Sequence, residues 1–298
     1  MKRLKPYKCN LRENLLFVRI NVVLALLFLL FTVSHAETPK RIISLAPSVT
    51  EILFAAGLGD RIIGVTNFCD YPEEAKRKPR IGGMSNPSLE AVVLLKPDIV
   101  VMTTDGNPRV FEQRLRSINI KTYMFKSRTL SELPDGIRDM GVALNEKERF
   151  DVLALEIEKA INRFKVKGQE IFNSKLKIQN LKRKNKVLFV IWPEPLIVAG
   201  IGTAINDAIN LLGGVNIAGD AKIQYPKYSI EEIIRQSPDI IIIGKGHENM
   251  RKLSGRLLKR LSNVPAVKNK KVFYVGDSLY RLGPRVVDGI EELAGCLR

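Results

Sequence analysis

Short, uninterrupted apolar segments alternate with segments of helical periodicity through most of the chain. Segments such as residues 98–103 and 239–243 have the length of strands, and their continuous apolar character is typical of a sheet that is covered on both faces. A strand, a crossover helix and a second strand in one sheet connect with right-handed topology, which makes the strands parallel. The pattern therefore predicts an α/β fold with mostly parallel sheets.

The first of these units begins at residues 41–46, which predict a strand. Ser48 and Glu51 have the spacing of a capping box, so a helix is expected to begin there. Gly57 is typical of the residue that ends such a helix. Residues 61–66 predict the second strand.

One segment occurs twice. Residues 88–101 (SLEAVVLLKPDIVV) and residues 229–242 (SIEEIIRQSPDIII) share serine, glutamate, proline, aspartate and isoleucine in register. Each copy predicts a capped helix that leads into a buried strand. The repeat indicates a protein of two similar halves, which is expected to work between them.

Between the halves the pattern changes to apolar positions at helical spacing, at Leu153, Ile157, Ile161 and Phe164. We expect one long helix there, with Gly168 as the position of a bend or interruption. The predicted organisation is an N-terminal segment of residues 1–36, an α/β lobe of residues 37–145, a linking helix of residues 146–185 and a second α/β lobe of residues 186–298.

The first 36 residues have the pattern of a signal peptide. Basic residues precede an apolar segment at residues 22–33, which is too short to span a membrane. Ser34-His35-Ala36 then supplies the small residues that precede a cleavage point. An uncleaved membrane anchor is the alternative. We expect cleavage and an exported mature protein.

The net charge of +17 is strongly basic. Because an exported protein rarely meets nucleic acid, we interpret this charge as a solvated surface and expect no nucleic-acid partner. After cleavage the chain keeps Cys69 and Cys296, which either pair or remain two thiols. His247 is then the single histidine, which counts against a zinc or manganese site, and no bound metal is expected.

Sequence signatures of catalysis are missing. The chain has no nucleophile elbow and no paired-histidine motif. The glycine pairs at residues 57–59 and 200–202 lack the third glycine of a dinucleotide-binding fingerprint. We therefore expect neither enzymatic activity nor a resident cofactor. An exported hydrolase remains the alternative of another class.

Aromatic and polar residues follow the predicted strands at their carboxyl ends, where ligands bind in open α/β sheets. Aromatic faces on facing loops are suited to clamping a large, flat ligand. The alternative is that each ring packs within its own lobe. The candidates are Phe68, Tyr71, Trp192 and Tyr280, with Asp277 and Arg281 as polar contacts.

Glu90 and Glu231 occupy matching positions in the first turns of the two repeated helices. The helix dipole stabilises a carboxylate there by about 0.3–1 kcal/mol, which is a sufficient reason for each residue alone. It does not explain why the two acids are equivalent in both halves. We interpret them as a two-point charged contact with a partner.

The sequence RIISLAPSVTEILFAAGLGDRIIGVTNFCDYPEEAKRKPRIGG at residues 41–83, followed by the first repeat, resembles the periplasmic cobalamin-binding proteins. These belong to the iron-siderophore and cobalamin class of ABC-transporter binding proteins. The resemblance implies the class III fold, with two lobes joined by a rigid helix. It also implies a small-molecule ligand, cobalamin or a related corrinoid, and an ABC-transporter permease dimer in the inner membrane that Glu90 and Glu231 would dock. We expect a monomer.

The resemblance places Phe68 at an aromatic ligand contact, and Met84 and Thr103 where some cobalamin-binding proteins have tryptophans. A ferric-siderophore or haem-binding protein on the same scaffold is the closest alternative. In that case Tyr280 or Arg281 would contact the ligand.

Overall fold

The computed structural model describes residues 38–179, 184–246 and 249–297, without the side chains of residues 171–179. The predicted signal peptide and His247 lie outside this part of the chain, so their expectations stay predictions. Helices and strands alternate through both halves, as the apolar pattern predicts.

The first half, residues 38–146, precedes the long helix. It contains a sheet of four parallel strands in the order β2-β1-β3-β4. Ile43 pairs with Val100, and Val101 pairs with Tyr123. The central strands are fully buried because branched side chains pack on both of their faces. The strands are β1 (Ile42–Ser44), β2 (Ile62–Val65), β3 (Ile99–Thr103) and β4 (Thr122–Phe125).

Three α-helices and two short 3-10 helices connect these strands, and a fourth α-helix follows β4. The helices are α1 (Pro47–Ala55), α2 (Leu89–Leu94), α3 (Arg109–Ser117) and α4 (Leu133–Ala143), with 3-10 turns at Gly59–Arg61 and Glu73–Arg77.

The expected capping box of α1 is wrong. Ala46 occupies the N-cap position without a side-chain cap, and Ser48 lies inside the helix. Pro47 begins the helix because its fixed φ suits the first turn and its missing N–H is not needed there. Glu51 is buried and forms an ion pair with Arg285 instead.

A single long helix, α5 (Lys147–Gln179), follows the first half and packs against α4. The expected interruption at Gly168 is wrong, because the helix continues through it. A β-carbon on Gly168 would lie 2.1 Å from the carbonyl oxygen of Leu211. The glycine therefore permits a close approach between the helix and the second half.

The second half comprises the described residues from 184 to 297. It contains a sheet in which β5 pairs with β6, β7 and β8, and β8 pairs with β9. All pairs are parallel except β5–β6. Its strands are β5 (Lys186–Pro193), β6 (Leu196–Val198), β7 (Val215–Asn216), β8 (Ile240–Gly244) and β9 (Val272–Val275). Its helices are α6 (Ala204–Leu211), α7 (Ile230–Gln236), α8 (Met250–Arg260), α9 (Pro265–Lys268) and α10 (Val286–Leu297).

One apolar cluster extends from the first sheet, past α5, to the second sheet. Phe125, Phe164 and Phe189 are all buried within it. A continuous core limits independent movement of the halves, because their separation would expose apolar surface to water. The lobe boundaries stay a prediction. Within the described residues, no helix combines the length and the apolarity that a membrane crossing requires.

The two cysteines of the described residues, Cys69 and Cys296, are separate thiols. Cys69 is buried, and its sulfur lies 3.1 Å from the hydroxyls of Thr50 and Thr66. Burial raises the pKa of the Cys69 thiol, although the two hydroxyls act in the opposite direction.

Candidate ligand-binding cavity

Side chains from both halves enclose a cavity of about 280 Å³. Thr103 and Phe125, the last residues of β3 and β4, form part of its wall. Tyr280 and Arg281, which follow β9, lie on the other side. The cavity therefore lies at the carboxyl ends of the strands, where open α/β sheets bind ligands.

Five of the eight ligand candidates line this cavity. They are Phe68, Met84, Thr103, Tyr280 and Arg281. The structure brings them together because each lies at or beyond the carboxyl end of a parallel strand. Phe68 is 57% exposed, so its ring remains available to a ligand. Asn107 fixes the loop near Met84 by donating to the Met84 carbonyl oxygen at 2.9 Å.

The other three candidates, Tyr71, Trp192 and Asp277, do not line the cavity. Tyr71 lies on the neighbouring surface with its ring 4.3 Å from the guanidinium carbon of Arg285. Asp277 forms an ion pair with Arg281.

Trp192 lies within β5, so the expectation that it lies in a loop is wrong. Its ring packs against the core of the second half, and its indole N–H donates to the carbonyl oxygen of Glu194 at 2.8 Å. The ring therefore packs within its own half, and its role as a ligand contact stays a prediction. The pairing of β5 with β6 extends the strand past the point at which the two prolines predict a loop.

A charged cluster joins the two halves beside the cavity. It consists of Glu51, Asp70, Asp277, Arg281 and Arg285. Arg285 binds both carboxylate oxygens of Glu51, at 2.6 and 3.0 Å. Arg281 contacts Asp70 from the first half and lies 2.6 Å from Asp277 in its own half. Because Glu51 is 2% exposed, these contacts replace the water that its carboxylate loses.

The acids of this cluster respond differently to their surroundings. Burial raises the pKa of Glu51, and the hydrogen bond and charge of Arg285 only partly oppose this. Burial also acts on Asp70, but the hydrogen bond and charge of Arg281 outweigh it, so that the pKa of Asp70 falls below its ordinary value. The difference follows from exposure, since Asp70 is much more accessible to water than Glu51.

At another part of the cavity wall, the Nε atom of Arg128 lies 3.1 Å from a carboxylate oxygen of Asp105. Tyr225 from the second half lines the cavity as well. Desolvation and the negative charge of Asp105 raise the pKa of Tyr225 to about 12. Desolvation and Asp277 likewise raise the pKa of Tyr280 to about 12. Both phenols therefore keep their protons at neutral pH and can donate hydrogen bonds to a ligand.

Sequence reasoning missed several residues of the wall, notably Asp105, Arg128 and Tyr225. Arg128 lies just beyond β4 and follows the same carboxyl-end rule that identified Thr103. Tyr225 follows no strand directly, and its place in the wall depends on how the two halves face each other. No local signal in the sequence indicates it.

Glu90 and Glu231 are both exposed, each near the start of its helix. Ser88 and Ser229 cap the two helices by accepting from backbone N–H groups at 3.2 and 3.0 Å. Neither glutamate forms an ion pair with a residue that the structure describes. Both carboxylates are therefore accessible to a partner.

The periplasmic binding protein family model matches residues 42–279, most of the chain. The chain belongs to the periplasmic binding protein family. Proteins of this family bind a small ligand and work with ABC-transporter permeases. The matched region contains both repeats and every candidate residue except Tyr280 and Arg281, which directly follow it.

Two relatives of this periplasmic binding protein illustrate the similarity. A vitamin B12-binding protein of Vibrio cholerae is 30% identical over 285 residues, which cover 93% of this chain and 96% of the relative. A vitamin B12-binding protein of Pectobacterium carotovorum is 27% identical over 269 residues, covering 90% of this chain and 92% of the relative.

Solved structures give the same fold. The periplasmic vitamin B12-binding protein of Vibrio cholerae has a TM-score of 0.73 and 26% identity, with 87% of this chain and 97% of that chain covered. A periplasmic haem-binding protein from Roseiflexus in its apo form has a TM-score of 0.76, the same identity and the same coverage. The fold is the class III periplasmic-binding-protein fold, with two β-sheets that alternate with helices along the chain and a long helix between the two halves.

Proposed function

We propose that this protein captures cobalamin or a related corrinoid between its two halves and delivers it to the permease of an ABC importer. The proposal further holds that the protein acts as a monomer in the periplasm after signal-peptide cleavage, and that it catalyses no reaction. The observation that carries it is the cavity at the strand ends, which is lined by both Phe68 from the first half and Tyr280 from the second half. The similarity to vitamin B12-binding proteins over 93% of the chain supports the same ligand.

Capture rests on burial of a macrocycle against Phe68, Met84 and the ring of Tyr280. Aromatic side chains contribute large apolar areas and prefer offset or edge contacts with other π systems. Ligand sites for drug-sized molecules occupy roughly 300–1,000 Å³. A corrinoid is larger than such molecules, so binding requires the cavity of about 280 Å³ to open, by movement of its loops or of the halves.

Delivery rests on Glu90 and Glu231. Both carboxylates are exposed and occupy equivalent places in the two repeats. Two separated acids give a partner both attraction and a defined orientation. A permease dimer presents each cationic surface twice, which matches an arrangement of two equivalent acids.

Haem is the second candidate ligand. The observation that favours it is the presence of Tyr225 and Tyr280 in the cavity, because a tyrosine phenolate is a known haem-iron ligand. The pKa of about 12 of each phenol opposes this role, since the phenolate is the ligating form.

The test is calorimetric titration of purified protein comprising residues 37–298 with cyanocobalamin and, in parallel, with haemin. We expect cyanocobalamin to bind with a Kd below about 10 μM, which corresponds to about −7 kcal/mol. Weaker binding of cyanocobalamin would reject the proposal. Tight binding of haemin alone would select the second candidate.

A further inference from the structure

Arg128 and Arg281 are the cationic side chains of the cavity wall within the described residues. Each already has a carboxylate partner in the protein. Arg128 pairs with Asp105 at 3.1 Å. Arg281 contacts Asp70 and lies 2.6 Å from Asp277. Neither arginine therefore presents an uncompensated positive charge to a ligand.

The cluster around Arg281 carries formally more negative than positive charge. Arg281 and Arg285 supply two positive charges, whereas Glu51, Asp70 and Asp277 supply three negative ones. Glu51 also approaches Arg281, at 3.8 Å. An anionic ligand group near Arg281 would have to displace a carboxylate that already holds the guanidinium, or remain beside it as a like charge.

We propose that this pairing makes the cavity select against ligands that carry carboxylates. Asp70 and Asp277 bind the terminal nitrogens of Arg281, and Asp105 binds Nε of Arg128, so the charge of both arginines is balanced and a ligand with peripheral amides is favoured over the same ligand with a carboxylate. The inference rests on the proposed function and specifies the charge of the ligand for that same site. Repulsive contacts of this kind give specificity by penalising the wrong ligand rather than by tightening the right one.

The cavity has groups that suit amides. The phenols of Tyr225 and Tyr280 donate to amide oxygens, and carboxylates such as that of Asp105 accept from amide N–H groups. Cobalamin carries neutral carboxamides around its corrin ring, whereas haem carries two propionates. The charge pairing therefore separates the two candidate macrocycles.

The test compares two matched ligands in calorimetric titrations at pH 7 and low salt. One is cyanocobalamin, and the other is its monocarboxylic acid, in which one peripheral propionamide is hydrolysed to a carboxylate. We expect the acid to bind at least about tenfold more weakly, a difference of about 1.4 kcal/mol. Equal or tighter binding of the acid would overturn the inference but leave the proposed function intact. Failure of both ligands to bind would overturn the proposed function and the inference together.

Variants then connect the selectivity to the arginine pairing. Asp105→Asn releases Arg128, so the affinity of the acid relative to cyanocobalamin should rise by about tenfold. Glu73→Gln is the matched control, because it removes one negative charge from an exposed ion pair with Lys76 outside the cavity. The control should leave the affinity ratio unchanged. If both variants raise the ratio equally, net charge rather than arginine pairing is responsible, and the inference is wrong.

Discussion

Glu51 and Arg285 form a two-pronged ion pair across the two halves of the chain. Arg285 Nη2 lies 2.6 Å from one carboxylate oxygen of Glu51, and Nε lies 3.0 Å from the other. The residues are 234 positions apart in sequence, with Glu51 in α1 and Arg285 immediately before α10. This contact fixes the first half to the second beside the cavity, so that opening of the halves on this side requires it to break.

Loss of the Glu51 side chain should destabilise the protein. The side chain is 2% exposed and accepts two hydrogen bonds from Arg285, so its removal leaves a buried void and unpaired donors. We expect Glu51→Ala to lower the free energy of unfolding by about 3 kcal/mol, measured by urea denaturation. Glu73→Ala breaks an exposed pair with Lys76 and should cost less than about 1 kcal/mol. Equal effects of the two substitutions would show that the Glu51–Arg285 pair contributes no more to stability than an exposed ion pair.

Acidification should change the contributions of Glu51 and Asp70 to stability in opposite directions, because folding raises the pKa of Glu51 and lowers the pKa of Asp70. The pKa of Asp70 is lowered from its ordinary 3.8, so its contribution is present above that pH and is lost as the pH falls through the folded value. The pKa of Glu51 is raised from 4.5, so its titration contributes stability below that pH, which is lost as the pH rises through the folded value.

On acidification, the difference in stability between the wild type and Asp70→Asn should therefore become smaller. Over the same pH range, the stability of the wild type should rise relative to that of Glu51→Gln. Thermal unfolding of the three proteins from pH 6 to pH 3 measures both gaps. Parallel trends for the two variants would contradict the assigned pKa directions.

Phe68 and Tyr71 lie three residues apart in one loop but should behave differently. Phe68 lines the cavity, while the ring of Tyr71 stacks against Arg285 outside it. We expect Phe68→Ala to weaken cyanocobalamin binding at least about tenfold, consistent with loss of a large aromatic contact. Tyr71→Ala should leave affinity nearly unchanged and lower stability by about 0.5–1 kcal/mol through the lost cation–π contact. Titration and denaturation of both variants check this, and a similar loss of affinity in both would refute the separation.

The alternation of strands and helices was predictable because it depends on local apolar periodicity and on turn residues. Five ligand candidates reach the cavity because the carboxyl ends of parallel strands converge at one edge of a sheet. Trp192 does not, because the antiparallel pairing of β6 extends β5 beyond it. That pairing is tertiary, and local prolines argue against it.

The charged cluster was not predictable from spacing. Glu51 has the local signature of a capping residue, and its partner Arg285 lies at the other end of the chain. Tyr225 enters the cavity wall for a similar reason, since its position follows from the packing of one half on the other. Local sequence patterns contain no information about such contacts.

Transport should depend on the paired acids without any change in ligand capture. Glu90→Arg combined with Glu231→Arg reverses both exposed charges while leaving the cavity intact. We expect cobalamin uptake by cells to be abolished and the Kd for cyanocobalamin to remain within about twofold, since like charges at an interface oppose association. Glu73→Arg combined with Glu148→Arg is the control, because it reverses two exposed acids elsewhere. Normal uptake with the first double variant would exclude the docking role.

Gly168 and Gly255 provide a final matched pair, because both lie inside helices but in different surroundings. A β-carbon on Gly168 would meet the Leu211 carbonyl oxygen at 2.1 Å, whereas nothing lies within 4 Å of one on Gly255. We expect Gly168→Ala to destabilise the protein by about 1–3 kcal/mol, because the contact between α5 and α6 must widen. Gly255→Ala should stabilise it by about 0.5–1 kcal/mol, since alanine loses less backbone entropy in a helix. Urea denaturation of both variants measures the difference. Stabilisation by Gly168→Ala would contradict the close packing of α5 on the second half.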